Sequence, residues 1–218
     1  MQIVDEFSEL YYNSKGQTWR NTNWIGIRTW KCPLDLWIYQ EILVETKPDI
    51  IVECGTGEGG TTLYLATICN LINHGKIITI DVVERKRLKH DRIKFILGDS
   101  ISEKVVEEVL GLISGKTVMV ILDSTHVKDH VLKELEIYSK FVTRDNYLIV
   151  EDTITNGHPV RTRFGEGPME AVTKFLSNNT SFEIDKNREK FYLTFNPNGY
   201  LRRVSNESIH SNSGTKQS

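Results

Sequence analysis

Three carboxylates and a histidine stand where this chain could do chemistry. Asp123 closes the apolar run Thr117-Val-Met-Val-Ile-Leu122, and Glu151-Asp152 closes Tyr147-Leu-Ile-Val150. Runs that are apolar throughout read as interior strands of a parallel sheet covered on both faces. Ligands of open α/β sheets bind outside the carboxyl ends of the strands, which places all three acids on the ligand side. Carboxylates gathered together raise one another's pKa unless a cation neutralises them. An oxygen-only set suits a hard ion: Mg²⁺ first, Mn²⁺ next, Ca²⁺ behind it. His126 follows Asp123 within the same loop. A histidine beside a divalent ion, titrating near neutrality, can serve as general base. His130, one helical turn on, is a weaker candidate, and His158 lies in a later loop that could touch substrate. The plain alternative is that Asp123 caps the next helix, Glu151 and Asp152 are solvated, and His126 is a surface residue.

A second constellation lies upstream. Ile50-Ile-Val52 is a β-branched strand, followed by Glu53, Gly55, Thr56, Gly57, Gly59 and Gly60 and then by an apolar helix from Thr61 to Ile72. Strand, glycine turn and helix open the nucleotide-binding half of a doubly wound fold. Read as Gly55-x-Gly57-x-x-Gly60, the loop matches a dinucleotide fingerprint, and with it an NAD-dependent oxidoreductase. Read as Glu53-x-Gly55-x-Gly57-x-Gly59, it resembles the first motif of S-adenosylmethionine-dependent methyltransferases. Glu53 favours the second reading. Dehydrogenases finish that strand with an apolar residue, and a carboxylate there is costly without a partner. In methyltransferases this acid faces the methionine end of the cofactor. A solvated acid capping the next helix is the bland reading.

The elements that must position these groups follow in order. Residues 1–18 predict a short amphipathic helix with Phe7, Leu10 and Tyr11 on its apolar side. Residues 19–34 carry Trp19, Trp24 and Trp30 without a regular period, which reads as a loop packed across the fold, either a lid or an edge of the core. Pro33 starts a helix whose Leu36, Trp37, Ile42 and Leu43 should face the sheet. Lys76–Ile80 is a strand ending in Asp81, roughly twenty residues beyond the glycine loop, where an acid meets ribose hydroxyls. Ile93–Leu97 is the next strand; Asp99 and Ser100 after it are placed to meet adenine, or to cap the following helix. Phe182–Ile184 and Lys190–Phe195 predict two late strands. The pattern is a doubly wound, Rossmann-like α/β domain with a mainly parallel seven-stranded sheet and one strand reversed. Residues 1–46 read as N-terminal helices and lid packed on the core, 47–204 as the catalytic domain and 205–218 as a disordered tail.

The bulk composition removes other classes. A net charge of −2 with 26% charged residues gives no general polyanion-binding surface, so no nucleic acid is expected. No apolar run is long enough to span a membrane. Cys32, Cys54 and Cys69 are an odd number without metal spacing, as in a reduced, cytoplasmic protein. Monomer and homo-oligomer both remain open.

Taken together, the motifs resemble the cephalosporin hydroxylase family, which includes rhamnosyl O-methyltransferase-type proteins. The resemblance runs from about Trp24 to Val204 and rests on Lys31-x-Pro33-x-Asp35, Glu53-x-Gly55-Thr56, Ile121-Leu-Asp123-Ser, Val150-Glu-Asp-Thr153, Asn156-Gly-His-Pro-Val160 and Phe195-Asn-Pro-x-Gly-Tyr-Leu201. It implies a class I methyltransferase fold, S-adenosylmethionine as cofactor, and an O-methyltransferase acting on a glycosyl, glycolipid or other small acceptor. It also implies Mg²⁺ held by Asp123, Glu151 and Asp152, as in catechol-type enzymes. Those enzymes place a lysine base where this chain has His126. A non-catalytic partner in a two-protein hydroxylation system is the other role the family name leaves open.

Overall fold

The computed structural model describes residues 2–84 and 89–205. Helix α1 (Gln2–Asn13) is followed by a small ribbon of β1 (Asn23–Trp24) and β2 (Ile27–Arg28), then α2 (Pro33–Thr46). The nucleotide-binding half comprises β3 (Ile50–Cys54), α3 (Gly60–Leu71), β4 (Lys76–Asp81), β5 (Ile93–Leu97) and α4 (Glu103–Ile113). The second half comprises β6 (Val118–Leu122), α5 (Lys128–Tyr138), β7 (Tyr147–Val150), α6 (Pro168–Ser177), β8 (Phe182–Ile184) and β9 (Tyr200–Arg203). The main sheet has seven strands in the order β5-β4-β3-β6-β7-β9-β8, with β9 antiparallel to both its neighbours. The expected doubly wound sheet with one reversed strand is therefore what the chain adopts.

Strand alternation divides the core. On β6, Val118, Val120 and Leu122 pack with α4, α5 and α6, whereas Met119 and Ile121 pack with α2 and α3. Every residue of β3 and β6 is buried, because helices cover both faces. The winding reverses between β3 and β6, and backbone contact there is close: Asp123 N–H donates to the Cys54 carbonyl at 2.7 Å. A Cβ on Gly55 would lie 2.1 Å from the Asp123 carbonyl oxygen, and Gly55 has φ +99°. Only glycine fits that crossing.

Three expectations need correction. Lys190–Phe195 is not a strand; the second late strand is β9, beyond Pro197. The alternating Leu193 and Phe195 instead fill a cluster with Tyr12, Trp19 and Cys32. Buried Asp35 ties that segment down, accepting from Thr194 Oγ1 at 2.5 Å, Phe195 N at 2.8 Å and the Tyr200 hydroxyl at 2.9 Å. The Phe195 N–H, a donor a ladder would use, is thereby spent on a side chain. Helix α1 buries Ser8 and Tyr12 while Phe7 and Leu10 face outward. Trp37 lies on the outer face of α2, bonded to Glu41. Tyr39 takes the inward place, because its hydroxyl reaches Glu151.

The three cysteines are free and buried. No helix among the described residues is long and apolar enough to cross a membrane. The proposed tail, apart from Ser205, lies outside the described residues.

Candidate active site at the sheet switch point

Two adjoining cavities open at the carboxyl ends of the parallel strands and share Gly55, Asp81 and Ser124. The first, about 370 Å³, brings together Gly55, Thr56, Gly57, Asp81, Asp123, His126 and Asp152, residues from four separate strand ends. Its outer wall is Tyr12, Trp19, Arg20, Trp30 and Arg161. The second, about 310 Å³, carries Asp99, Ser100 and His130. His130 thus stands apart from the acids, with Nε2 3.4 Å from Ser100 Oγ, while Ser100 donates to Glu134 at 2.5 Å. His158 pairs with Glu170 at 2.5 Å and lines neither cavity.

The glycine loop is shaped by left-handed positions at Gly55, Gly57 and Gly59, with Gly59 capping α3. Asp81 Oδ2 accepts from Gly57 N at 3.0 Å and Oδ1 from Val83 N at 2.9 Å, which fixes the carboxylate on the wall between the cavities. Each oxygen keeps a second lone pair for a hydroxyl. Gly57, with φ +54° and nothing within 4 Å of where a Cβ would stand, leaves the loop open on the cavity side, which fits a cofactor lying across it.

Glu53 lies beneath this loop, not on either cavity wall. Thr62 and Thr79 both donate to its Oε2, at 2.5 and 2.6 Å. Burial raises its pKa to about 7, and the two threonines only partly oppose that. A carboxyl whose folded pKa is raised binds more protons folded than unfolded between its ordinary value and the raised one. Its contribution is therefore present at low pH and lost as pH rises towards 7. Glu53→Gln, which keeps the acceptor oxygen, is expected to flatten the fall in urea midpoint between about pH 5 and pH 8. An unchanged slope would show that Glu53 is ionised throughout.

Lys31 is the residue that the strand ends did not reveal. Its Nζ lies 2.6 Å from Asp123 Oδ2 and 2.9 Å from Glu151 Oε1, with its side chain only 5% exposed. Burial disfavours the ammonium, but Asp123, Glu151 and Asp152 outweigh it and hold its pKa above the ordinary lysine value. Burial pushes Glu151 up to about 7 and also raises Asp123, with Lys31 opposing both shifts. Asp152 goes the other way: burial would raise it, yet His126, with Nε2 3.1 Å from Asp152 Oδ2, helps hold it below the usual range. Asp152 in turn raises His126 against the effect of burial.

The donor chemistry fits a hard cation. All three acids offer oxygen, and Glu151 Oε2 is buried without a hydrogen-bond partner. Among the described residues no three His, Cys, Asp or Glu side chains converge in metal-holding geometry. The present arrangement is closed around the Lys31 ammonium.

The profile of the Rhamnosyl O-methyltransferase/CmcI family matches residues 16–204. The chain belongs to this family. Members similar to it include the rhamnosyl O-methyltransferase of Mycobacterium tuberculosis strain H37Rv, 34% identical over 92% of this chain and 85% of that one. The Mycobacterium leprae protein of the same name is 35% identical over 92% and 90%. A solved structure of CmcI with Mg and SAM superposes with a TM-score of 0.67 at 21% identity, covering 85% of this chain and 78% of that one. MycE with Mg, SAH and mycinamycin VI superposes at 0.57 and 16% identity, over 78% of this chain and 50% of that one. As a rhamnosyl O-methyltransferase/CmcI family member, the protein is an enzyme, a methyltransferase. The oxidoreductase and non-catalytic readings fall with that assignment.

Proposed function

We propose that the enzyme methylates a hydroxyl of a glycosyl or similar small acceptor, with a divalent metal assisting. The observation that carries this reading is the His126–Asp152 pair opening into the cavity walled by the glycine loop. Gly55, Thr56, Gly57 and Gly59 would hold the methionine part of the cofactor, Asp81 its ribose, and Asp99 and Ser100 its adenine side. Glu53 would act from beneath, setting the loop through Thr62 and Thr79. Asp123, Glu151 and Asp152 would hold Mg²⁺. Bound together, the two groups would supply an activated methyl and a polarised acceptor hydroxyl.

The chain's own residues do the rest. Asp152 accepts from His126 Nε2, which orients the ring and makes it a stronger base; the other ring nitrogen is left to take the hydroxyl proton. The outer wall offers an exposed aromatic ring to a sugar at Trp30, beside the Tyr12–Trp19 stack at 5.0 Å and the guanidinium groups of Arg20 and Arg161. The rhamnosyl acceptor in the relatives' names supports the glycosyl class. Sequestering the reacting atoms from water completes the task.

Calorimetry with S-adenosylmethionine, followed by methyl transfer to a panel of glycosides with and without a chelator, tests the proposal. Binding and chelator-sensitive transfer are expected. Transfer that chelation leaves unchanged would remove the metal from the mechanism, and transfer only to non-glycosyl hydroxyls would overturn the acceptor class.

A further inference from the structure

Two of the acids at the switch point already share a counter-ion, supplied by a residue from a distant and irregular part of the chain. We propose that Lys31 is a tethered counter-ion with which the divalent metal exchanges: metal binding expels its ammonium from between Asp123 and Glu151 into the neighbouring cavity. The inference rests on the reading of Asp123, Glu151 and Asp152 as metal ligands.

Position carries the argument. The ammonium bridges one oxygen of Asp123 and one of Glu151, at 2.6 and 2.9 Å. A metal bound by these acids needs both side chains, at about 2.1 Å from each ligand oxygen. A single charge and a double charge cannot share that point, and a few ångströms of separation in a buried site leaves strong repulsion. The acids cannot follow the lysine out. Glu151 is held from behind by the Tyr39 hydroxyl, and the backbone of Asp123 is anchored to Cys54. The Lys31 backbone is also fixed, because Thr22 Oγ1 donates to its carbonyl and accepts from its N–H, each at 3.2 Å. What can move is the four-carbon stem. Lys31 lies on the wall of the 370 Å³ cavity, so there is space for it to swing into. The orphaned Glu151 Oε2 is consistent with the same exchange: an ammonium satisfies one oxygen of that carboxylate, and a metal can engage the other.

The exchange makes the lysine a competitor, so removing it should strengthen metal binding even though it removes a contact. Mn²⁺ titration of the full chain by calorimetry and electron paramagnetic resonance should show Lys31→Met binding about tenfold more tightly than wild type, within the usual range for coupled sites. Equal or weaker binding by Lys31→Met overturns the inference while leaving the metal reading in place. Failure of both proteins to bind Mn²⁺ overturns the metal reading as well. A thermal melt and binding of S-adenosylhomocysteine show whether the variant folds. The wild type gives a second reading that needs no variant. Acylation of Lys31, followed by peptide mass spectrometry, should speed up several-fold when Mn²⁺ is added. Unchanged or slower labelling would mean that the ammonium stays between the two acids, and the exchange does not occur.

Discussion

Replacing His126 with alanine is expected to slow methyl transfer by roughly 10²–10⁴-fold, the usual contribution of a positioned general base. Cofactor and Mn²⁺ binding should both survive, since neither depends on the imidazole. The pH profile gives the sharper reading. Asp152 raises the His126 pKa against burial, and a divalent ion on Asp152 would oppose that shift, so the wild-type kcat/KM should climb with pH through one limb set by the imidazole losing its proton. The neutral ring is the active form, which sets the sign: activity rises as the proton leaves. In His126→Ala that limb should vanish, and high pH should restore part of the rate because hydroxide can remove the proton instead. Full activity at neutral pH would show that the histidine takes no part.

Asp152→Ala should be more damaging still, lowering activity by roughly 10⁴-fold or below detection, because one side chain serves two proposed tasks. It is a metal ligand in this reading and also the partner that orients His126 and makes it basic. The backbone there is held independently, with Asp152 N–H donating to Asn196 Oδ1 at 2.9 Å, so the loop should stay in place. Calorimetry should find S-adenosylhomocysteine binding nearly unchanged and Mn²⁺ binding lost. Asp152→Asn should fall between, since an amide can still accept from the imidazole. A variant that keeps Mn²⁺ binding but loses activity would assign Asp152 to the histidine alone.

The fold was legible because its strands announce themselves. Ile50–Val52, Val118–Leu122 and Tyr147–Val150 are apolar on both faces, which suits only the middle of a covered parallel sheet. Once those strands are placed, topology brings Gly55, Asp81, Asp123 and Asp152 to one end without further information. Lys31 was not legible. It sits in the tryptophan-rich stretch that lacks any period, and Asp123, which it meets, is 92 positions away. Its only sequence signal was the Lys31-x-Pro33-x-Asp35 pattern, which names a motif but not its target. The false strand at Lys190–Phe195 failed for a related reason: alternation records which side chains are buried, not what the backbone bonds to. There a buried Asp35 supplies the acceptor. Trp37 and Phe7 misled because size suggests burial, while the buried place on α2 near the acids went to Tyr39, whose hydroxyl reaches Glu151.

Asp35 carries one more consequence, for the order in which the enzyme is made. It joins α2 to Thr194, Phe195 and Tyr200, contacts 159, 160 and 165 positions apart in the chain. A ribosome that has released β3 to β7 has supplied every strand of the parallel sheet, but nothing yet for Asp35 to grip. Contacts so distant close last and cost the most chain entropy. The clamp on Asp35 therefore closes only when the stretch from Thr194 to Tyr200 has been made, whereas Ile38, Ile42 and Leu43 of α2 already have partners on β3 and β6. The cofactor platform can assemble first, and the Asp35 clamp is a late long-range addition to it.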